Sequence, residues 1–224
     1  MTPVPATRRP KRIALLGAES TGKTQLARQL AVALRAPDRS TAMVPEVLRE
    51  WCARKGRTPR AHEQPAIARE QARRVLALDT VEIIIADTTP LMTALYSHLL
   101  FGDESLYEFA LAHQRMYDVT LVTGLDLPWQ ADGLQRDGPH VREPVDTMLR
   151  AALSRSGVTW QVIYGHGAAR VEKAMDAIYS LANRDLSTLE NGQRALKSGA
   201  WSWPCDKCSD PDCEHRLFTG LLSP

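Results

Sequence analysis

Short apolar runs alternate along the chain with longer segments in which apolar residues recur every three or four positions. The short runs predict strands at residues 12–18, 41–44, 81–87, 118–124 and 159–165. The longer segments predict helices at residues 22–34, 46–55, 61–78, 91–100, 104–116, 144–155 and 168–182. Because parallel strands need crossover connections, this alternation predicts a three-layer α/β/α domain with a mainly parallel, five-stranded sheet.

Both ends of the chain depart from this pattern. Residues 1–11 combine prolines with basic residues, and we expect them to be disordered. Helical periodicity fades near residue 184, so we predict one α/β domain over residues 12–183 and a C-terminal extension over residues 184–224. The total of 224 residues fits one globular core with such an appendage.

Charge and hydropathy exclude several classes of partner. The 28 Lys and Arg residues nearly balance the 26 Asp and Glu residues, so bulk charge does not indicate a nucleic-acid partner. No apolar run approaches the ~20 residues of a membrane span, and the N-terminus lacks the apolar core of a secretory signal. We therefore expect a soluble, cytoplasmic protein without a membrane partner.

The strongest local signal is the segment Gly17-Ala-Glu-Ser-Thr-Gly-Lys-Thr24, which matches the phosphate-loop pattern G-x-x-x-x-G-K-[ST] between a predicted strand and a predicted helix. Backbone N–H groups of such a loop surround phosphate oxygens, and the helix N-terminus adds partial positive charge. Lys23 is expected to reach the β- and γ-phosphates, and Thr24 to bind Mg²⁺. The predicted nucleotide-binding residues of the loop are Gly17, Glu19, Ser20, Thr21, Gly22, Lys23 and Thr24.

Asp87 ends the most apolar predicted strand. Ligands of parallel sheets bind at the carboxyl ends of the strands, so this carboxylate can hold Mg²⁺ or accept a proton from an attacking hydroxyl. The alternative is that Asp87 caps the next helix.

Five segments, in the same order along the chain, resemble the ribosylnicotinamide kinase domain of NadR-type proteins. They are the phosphate loop, Pro45-Glu-Val-Leu-Arg-Glu50, Ala86-Asp-Thr88, Leu127-Pro-Trp-Gln-Ala-Asp-Gly133 and Gly165-His-Gly-Ala-Ala-Arg170. The resemblance covers residues 12 to about 182 and implies phosphorylation of nicotinamide riboside with ATP and Mg²⁺ on a P-loop nucleoside-kinase-like fold. The DNA-binding and adenylyltransferase domains of NadR are not matched in this sequence, so those activities are not implied.

The same segments supply candidates for the acceptor site and for a lid. Glu46, Arg49 and Glu50 suit ribose hydroxyls and a cationic ring, or form an exposed helix start with ordinary ion pairs. Trp129 and Asp132 are further acceptor candidates, and Trp129 and Tyr96 either stack on a flat ring or pack in the core. Arg136, preferred over Arg142, is the predicted lid arginine on the γ-phosphate, with an ordinary solvated loop as the alternative. Arg170 either lies against the nucleotide base or is an ordinary arginine at a helix start.

Three cysteines and one histidine crowd into the last twenty residues, with the spacing C-x₂-C-x₄-C-x-H. Cys205, Cys208, Cys213 and His215 predict a structural Zn²⁺ site, with a reduced, metal-free tail as the alternative. Acidic neighbours disfavour a nucleic-acid-binding knuckle. Such a tail would brace the domain or dock a protein partner, and both roles stay open.

Two functions from different classes follow from these features. The first is a kinase that transfers the γ-phosphoryl group of ATP to a nucleoside, with Lys23, Asp87 and Arg136 as catalytic residues. The alternative is a regulatory ATPase- or GTPase-like module without small-molecule kinase activity. The sequence contains no guanine-reading N-K-x-D segment, which disfavours the GTPase version.

Overall fold

The computed structural model describes residues 9–37, 39–130 and 138–191, and the side chains up to residue 182. Its sheet has five strands in the order β2-β3-β1-β4-β5, and every neighbouring pair is parallel. The strands are β1 (Lys11–Leu16), β2 (Thr41–Val44), β3 (Ile83–Asp87), β4 (Val119–Thr123) and β5 (Gln161–Ile163). The predicted fold class is therefore confirmed.

Helices connect the strands as the apolar periodicity predicts. They are α1 (Lys23–Ala33), α2 (Val47–Lys55), α3 (Gln64–Leu76), α4 (Pro90–Phe101), α5 (Tyr107–Gln114), α6 (Arg142–Arg155) and α7 (Gly167–Asn191). Consecutive residues of the central strands, such as Ile13, Ala14, Leu15 and Leu16 of β1, are all buried. A strand that is buried on both faces lies between two covering layers, which is the expected sandwich of helix, sheet and helix.

Three helix boundaries differ from the sequence prediction by three residues or more. A 3₁₀ turn at Ala61–Glu63 precedes α3, and Pro65 stands in the first turn of the helix, where proline is well tolerated. The start of α5 moves from residue 104 to Tyr107, because Asp103 accepts a hydrogen bond from the backbone of Ser105 and shapes the turn (2.9 Å). Helix α7 continues to Asn191, nine residues beyond its predicted end.

The strand order brings three chain segments together at one edge of the sheet. Strand β1 lies between β3 and β4, with Leu15 in register with Asp87 and Leu16 in register with Val122. The loop after β1, the end of β3 and the end of β4 are therefore neighbours, which is the position of ligand sites in open α/β sheets.

The chain divides into two compact units, Met1–Leu181 and Ala182–Pro224. Of the second unit, the structure describes only the end of α7. Within the described part of the chain, no helix has the length and apolar character needed to cross a bilayer.

Candidate active site

The phosphate loop is held in place by two hydroxyl groups, one within the loop and one at the end of β4. Thr21 donates to the carbonyl of Ala18 (2.8 Å), and its Oγ1 lies 2.6 Å from Oγ1 of Thr123. Thr123 in turn donates to the carbonyl of Leu16 (3.1 Å). At Gly17, where φ is +145°, a Cβ atom would overlap the Thr123 hydroxyl. The loop therefore requires glycine at this position for space as well as for backbone conformation.

Lys23 begins α1 directly after Gly22, whose φ of +73° turns the loop into the helix. Its Nζ donates to the carbonyl of Ala18 at 2.7 Å. Burial lowers the pKa of Lys23, against the opposing influence of Glu46 and Asp87. The ammonium group therefore lies at the phosphate loop, partly desolvated, beside the carboxylates of Glu46 and Asp87.

Asp87 is the last residue of β3, and it is only 1% exposed. Neither of its carboxylate oxygens has a hydrogen-bond partner among the described residues. The N-cap of α4 is Thr89, which accepts a hydrogen bond from the backbone N–H of Leu91 (3.3 Å), so Asp87 does not cap that helix. A buried carboxylate without a partner is costly, and a ligand or metal ion would satisfy it.

One cleft opens between the phosphate loop, α2, the start of α3 and α4. We call it the acceptor cleft. Glu46 and Arg49 line it and form an ion pair of 3.5 Å. Burial raises the pKa of Glu46, although Lys23 and Arg49 act in the opposite direction. The remaining lining residues are Glu19, Ser20, Lys23, Leu48, Cys52, Thr58, Pro59, Gln64, Tyr96 and Leu100.

A buried glutamine fixes the backbone on both sides of Glu46. The Gln71 side chain, 2% exposed, accepts from the N–H of Val47 (2.8 Å) and donates to the carbonyl of Pro45 (3.4 Å). Gln71 shares the face of α3 that carries the apolar residues Ile67 and Val75. A polar residue on such a face was the only signal in the sequence for this positioning role.

A second cleft lies on the other side of the phosphate loop. We call it the nucleotide cleft. Its lining residues are Ser20, Gly22, Gln25, Leu26, Gln29, Leu127, Pro128, Gln130, His166, Gly167 and Arg170. Ser20 is common to both clefts, because the loop forms the wall between them.

Arg170, in the first turns of α7, lies beside the phosphate loop. A Cβ atom at Gly22 would be 2.8 Å from its Nη1. The side chain is 4% exposed, and its Nε and Nη2 have no hydrogen-bond partner among the described residues. Burial lowers the pKa of Arg170, and Asp126 acts against this shift. Arg170 thus lies beside the phosphate loop and lines the nucleotide cleft, and its contact with the base stays a prediction.

The segment after β4 lies next to the phosphate loop and is held by hydrogen bonds at two points. The backbone N–H of Gln130 donates to Oγ of Ser20 (2.7 Å). Arg142, 8% exposed, donates through Nη2 to the carbonyls of Leu125 (3.1 Å) and Leu127 (2.9 Å). Arg142 thus holds the backbone of this segment, a role that its sequence context did not indicate.

Not every predicted site residue reaches these clefts. Glu50 is exposed and forms an ion pair with Arg74 of α3 (2.6 Å), as the alternative of an ordinary helix start predicted. Trp129 is half-buried and is not among the lining residues of either cleft. Asp132 and Arg136 lie outside the described residues.

The donors at the sheet edge suit magnesium. Mg²⁺ prefers oxygen ligands, and the buried carboxylate of Asp87 has no hydrogen-bond partner among the described residues. The Thr24 hydroxyl stays the second predicted ligand. Among the described residues, no group of three or more His, Cys, Asp or Glu side chains could hold a metal ion. The predicted zinc ligands Cys205, Cys208, Cys213 and His215 lie outside the described residues.

A glycine-rich loop between a buried strand and a helix, on this parallel sheet, defines a P-loop, kinase-like nucleotide-binding protein. A family model described as an AAA domain matches residues 12–170. The chain therefore belongs to that AAA-domain family. Among curated proteins, the comparison found no significant match.

Solved structures share the fold. A NadR protein in complex with NR aligns with a TM-score of 0.60 at 19% identity, over 77% of this chain and 51% of the NadR chain. A deoxyadenosine kinase from M. mycoides, with products dCMP and a flexible dCDP bound, aligns with a TM-score of 0.53 at 13% identity, over 75% and 99% of the two chains. The chain thus spans about half the length of the NadR protein, and the likeness concerns the fold.

Proposed function

We propose that the protein is a kinase that transfers the γ-phosphoryl group of ATP to a hydroxyl of a nucleoside, with nicotinamide riboside as the acceptor. The acceptor assignment is supported by the sequence resemblance to NadR-type kinase domains and by the fold shared with a NadR protein solved with NR. It is also supported by Glu46, because a carboxylate in the acceptor cleft suits both ribose hydroxyls and a cationic ring.

The observation that carries the proposal is the pair of clefts on either side of one phosphate loop. Ser20 lines both clefts, and Lys23 lines the acceptor cleft. A phosphotransferase must bind donor and acceptor side by side, with the transferred group between them. A nucleotide-dependent switch requires only the nucleotide cleft, so the acceptor cleft favours the kinase over the regulatory module.

On the nucleotide side, the loop amides, Lys23 and Arg170 would bind the phosphates. Lys23 would leave the carbonyl of Ala18 for the β- and γ-phosphates, and the unpartnered donors of Arg170 would receive an anion. Thr24 and Asp87 would hold Mg²⁺, which neutralises phosphate charge when it is bound. The lid role of Arg136 stays a prediction from the sequence.

Asp87 is the candidate base. The acceptor oxygen would attack the γ-phosphorus, and a new O–P bond would form as the bond to the β-phosphate oxygen breaks and ADP leaves. The hydroxyl proton would pass to the carboxylate of Asp87. Lys23 would stabilise the charge on the phosphoryl oxygens, so most of the catalysis would come from positioning and electrostatics.

The test is incubation with Mg-ATP and a panel of nucleosides, with phosphorylated products identified by mass spectrometry. We expect nicotinamide riboside 5′-phosphate and ADP in equal amounts. Lys23→Ala should lower kcat by ~10³-fold, because it removes the only charged side chain of the loop that reaches the phosphates. Lys55→Ala, at the exposed end of α2, is the matched control. Intact ATP binding without product from any nucleoside would refute the kinase proposal.

A structural zinc ion at Cys205, Cys208, Cys213 and His215 is a separate proposal. Three thiolates and one imidazole form a complete tetrahedral ligand set for structural zinc. Elemental analysis of freshly purified protein should give about one zinc per chain. A Cys205→Ser/Cys208→Ser variant should contain none, and a wild-type protein free of zinc would end this proposal.

A further inference from the structure

The acceptor cleft contains a polar group that neither the phosphate loop nor the mechanism above uses. Gln64, the first residue of α3, lines this cleft and is 1% exposed. Its amide oxygen Oε1 is buried and has no hydrogen-bond partner among the described residues. Buried polar atoms in folded proteins are nearly always satisfied, so an unpaired acceptor that lines a cleft points to a donor on a ligand.

The backbone that presents Gln64 is held firmly. The carboxylate of Glu63 accepts two hydrogen bonds from the guanidinium of Arg57, each of 2.8 Å, and a third from the backbone N–H of Arg60 (2.8 Å). Arg57 also lies over the ring of Trp51, 4.9 Å from its centroid. These contacts fix the turn that leads into α3, from whose first residue the Gln64 side chain projects.

The walls around Gln64 suit a flat heterocycle. Leu48, Pro59 and Leu100 provide apolar surface in the same cleft, while Lys23 and Glu46 bring charge from the phosphate loop and from the start of α2. A nucleoside matches this division, because its ring is largely apolar on its faces and its ribose carries the hydroxyl to be phosphorylated. A base in this cleft would present its edge, where its hydrogen-bonding groups are, to a polar wall residue.

We propose that Gln64 determines the specificity for the base by accepting, at Oε1, a hydrogen bond from an N–H group of an exocyclic amine or a carboxamide. This inference rests on the proposed nucleoside kinase activity. Bases with such an N–H group, whether the carboxamide of a nicotinamide or the amine of an aminopurine or aminopyrimidine, satisfy the buried oxygen. Bases without one leave it unpaired and are selected against.

The experiment compares matched nucleosides that differ in this one donor. The pairs are nicotinamide riboside with 3-acetylpyridine riboside, adenosine with purine riboside, and cytidine with the 2-pyrimidinone riboside that lacks its amine. For the wild-type protein we expect kcat/KM to favour the member with the donor by ~10-fold or more in the pair that contains the best substrate.

Two variants of Gln64 test the assignment. Gln64→Leu removes the acceptor, so the ratio of kcat/KM within the pair should fall to about one while KM for ATP stays unchanged. Gln64→Glu keeps an oxygen acceptor in nearly the same volume, so it should retain the preference for the N–H member. Arg69→Ala, exposed on the same helix, is the control and should preserve the wild-type ratio.

The outcomes separate the two proposals. If the wild-type protein phosphorylates none of these nucleosides, both the kinase proposal and the assignment of Gln64 are overturned. If it phosphorylates them but Gln64→Leu keeps the wild-type ratio, the kinase proposal stands and the role of Gln64 is refuted. Should Gln64→Leu fail to fold, as judged by its thermal transition, the retained or lost preference of Gln64→Glu decides the matter.

Discussion

The two clefts on either side of the phosphate loop are built in different ways. The nucleotide cleft is lined by the phosphate loop and the first turns of α1, which are continuous in the chain, together with the segment after β4 and the start of α7. The acceptor cleft is assembled from side chains of α2, the α2–α3 connection, α3 and α4, which are far apart in the sequence. A donor site formed mainly by the backbone of one loop can be recognised in the sequence as a compact motif. An acceptor site formed by side chains from distant segments cannot.

This difference predicts that substitutions will separate into two groups. Side chains of the nucleotide cleft should control the KM for ATP, and side chains of the acceptor cleft should control the KM for the nucleoside. Residues that serve the transfer itself should instead lower kcat with either substrate at saturation. The predictions below test this separation.

The largest effect is expected at the carboxyl end of β3. Asp87→Asn should lower kcat by ~10³-fold, because the amide cannot accept the acceptor's proton and is a weaker ligand for Mg²⁺. Steady-state kinetics with both substrates at saturation should show this loss in kcat. Asp79→Asn, on an exposed residue before β3, is the control. A kcat within ~3-fold of wild type would remove Asp87 from the mechanism.

Arg170→Met should act on the nucleotide cleft alone. We expect KM for ATP to rise ~10- to 100-fold with little change in KM for the nucleoside, because a charge-assisted contact with phosphate is lost. The variant should also melt at a higher temperature without ligand, since it removes a buried guanidinium with two unpartnered donors. Arg28→Met, exposed on α1, is the control. Equal increases in both KM values would contradict the separation of the clefts.

Glu46→Gln should act on the acceptor cleft alone, with ~10-fold higher KM for the nucleoside and an unchanged KM for ATP. Burial raises the pKa of Glu46, so the unfolded chain loses this proton at a lower pH than the folded chain does. Stability therefore falls as the pH rises from the unfolded-state pKa through the folded-state pKa. The variant should be more stable than wild type at pH 8, and this gain should shrink as the pH falls. Denaturant titrations at pH 5 and pH 8, with Glu172→Gln as control, measure it.

The smallest effect on catalysis is expected away from both clefts, at a buried histidine that makes the folding stability sensitive to acid. Burial, with a further contribution from Arg12, lowers the pKa of His113 to about 4. Below pH ~6.5 the unfolded chain binds a proton at this position and the folded chain does not, so stability falls as the pH drops towards 4. His113→Leu should remove this loss, on the order of 2 kcal/mol between pH 7 and pH 4.

The matched control for this prediction is His140→Leu, on an exposed histidine before α6. Denaturant titrations of both variants should show a flatter pH dependence for His113→Leu only. An unchanged slope in that variant would assign the acid sensitivity to other groups.

The sequence predicted the fold well because its strands are continuous apolar runs. All five strands lie within or next to their predicted ranges, and the phosphate loop was identified from its own eight residues. Helix ends were less predictable where a turn residue decides them, as Asp103 does before α5.

The acceptor cleft shows where prediction from sequence stops. Glu46 and Glu50 are equally plausible in the sequence, yet one lines the cleft and the other pairs with Arg74. Gln64 looks like an ordinary first residue of a helix, and its buried, unpartnered oxygen emerges only from the packing of α2, α3 and α4. Arg142 was considered for the lid, but it supports the backbone at Leu125 and Leu127.

The hydrogen bond from Lys23 to the carbonyl of Ala18 has a consequence for how readily the protein exchanges ligands. A hydrogen bond from an ammonium group to a carbonyl contributes roughly 1.5–3 kcal/mol, whereas separating a buried ion pair costs about 3–5 kcal/mol. Lys23 is hydrogen-bonded to a carbonyl and lies between two carboxylates. Moving its ammonium group onto the phosphates of a bound nucleotide therefore costs less free energy than breaking a buried ion pair would. After transfer it can return to the same carbonyl, so the departure of ADP does not leave an unsolvated ammonium group behind.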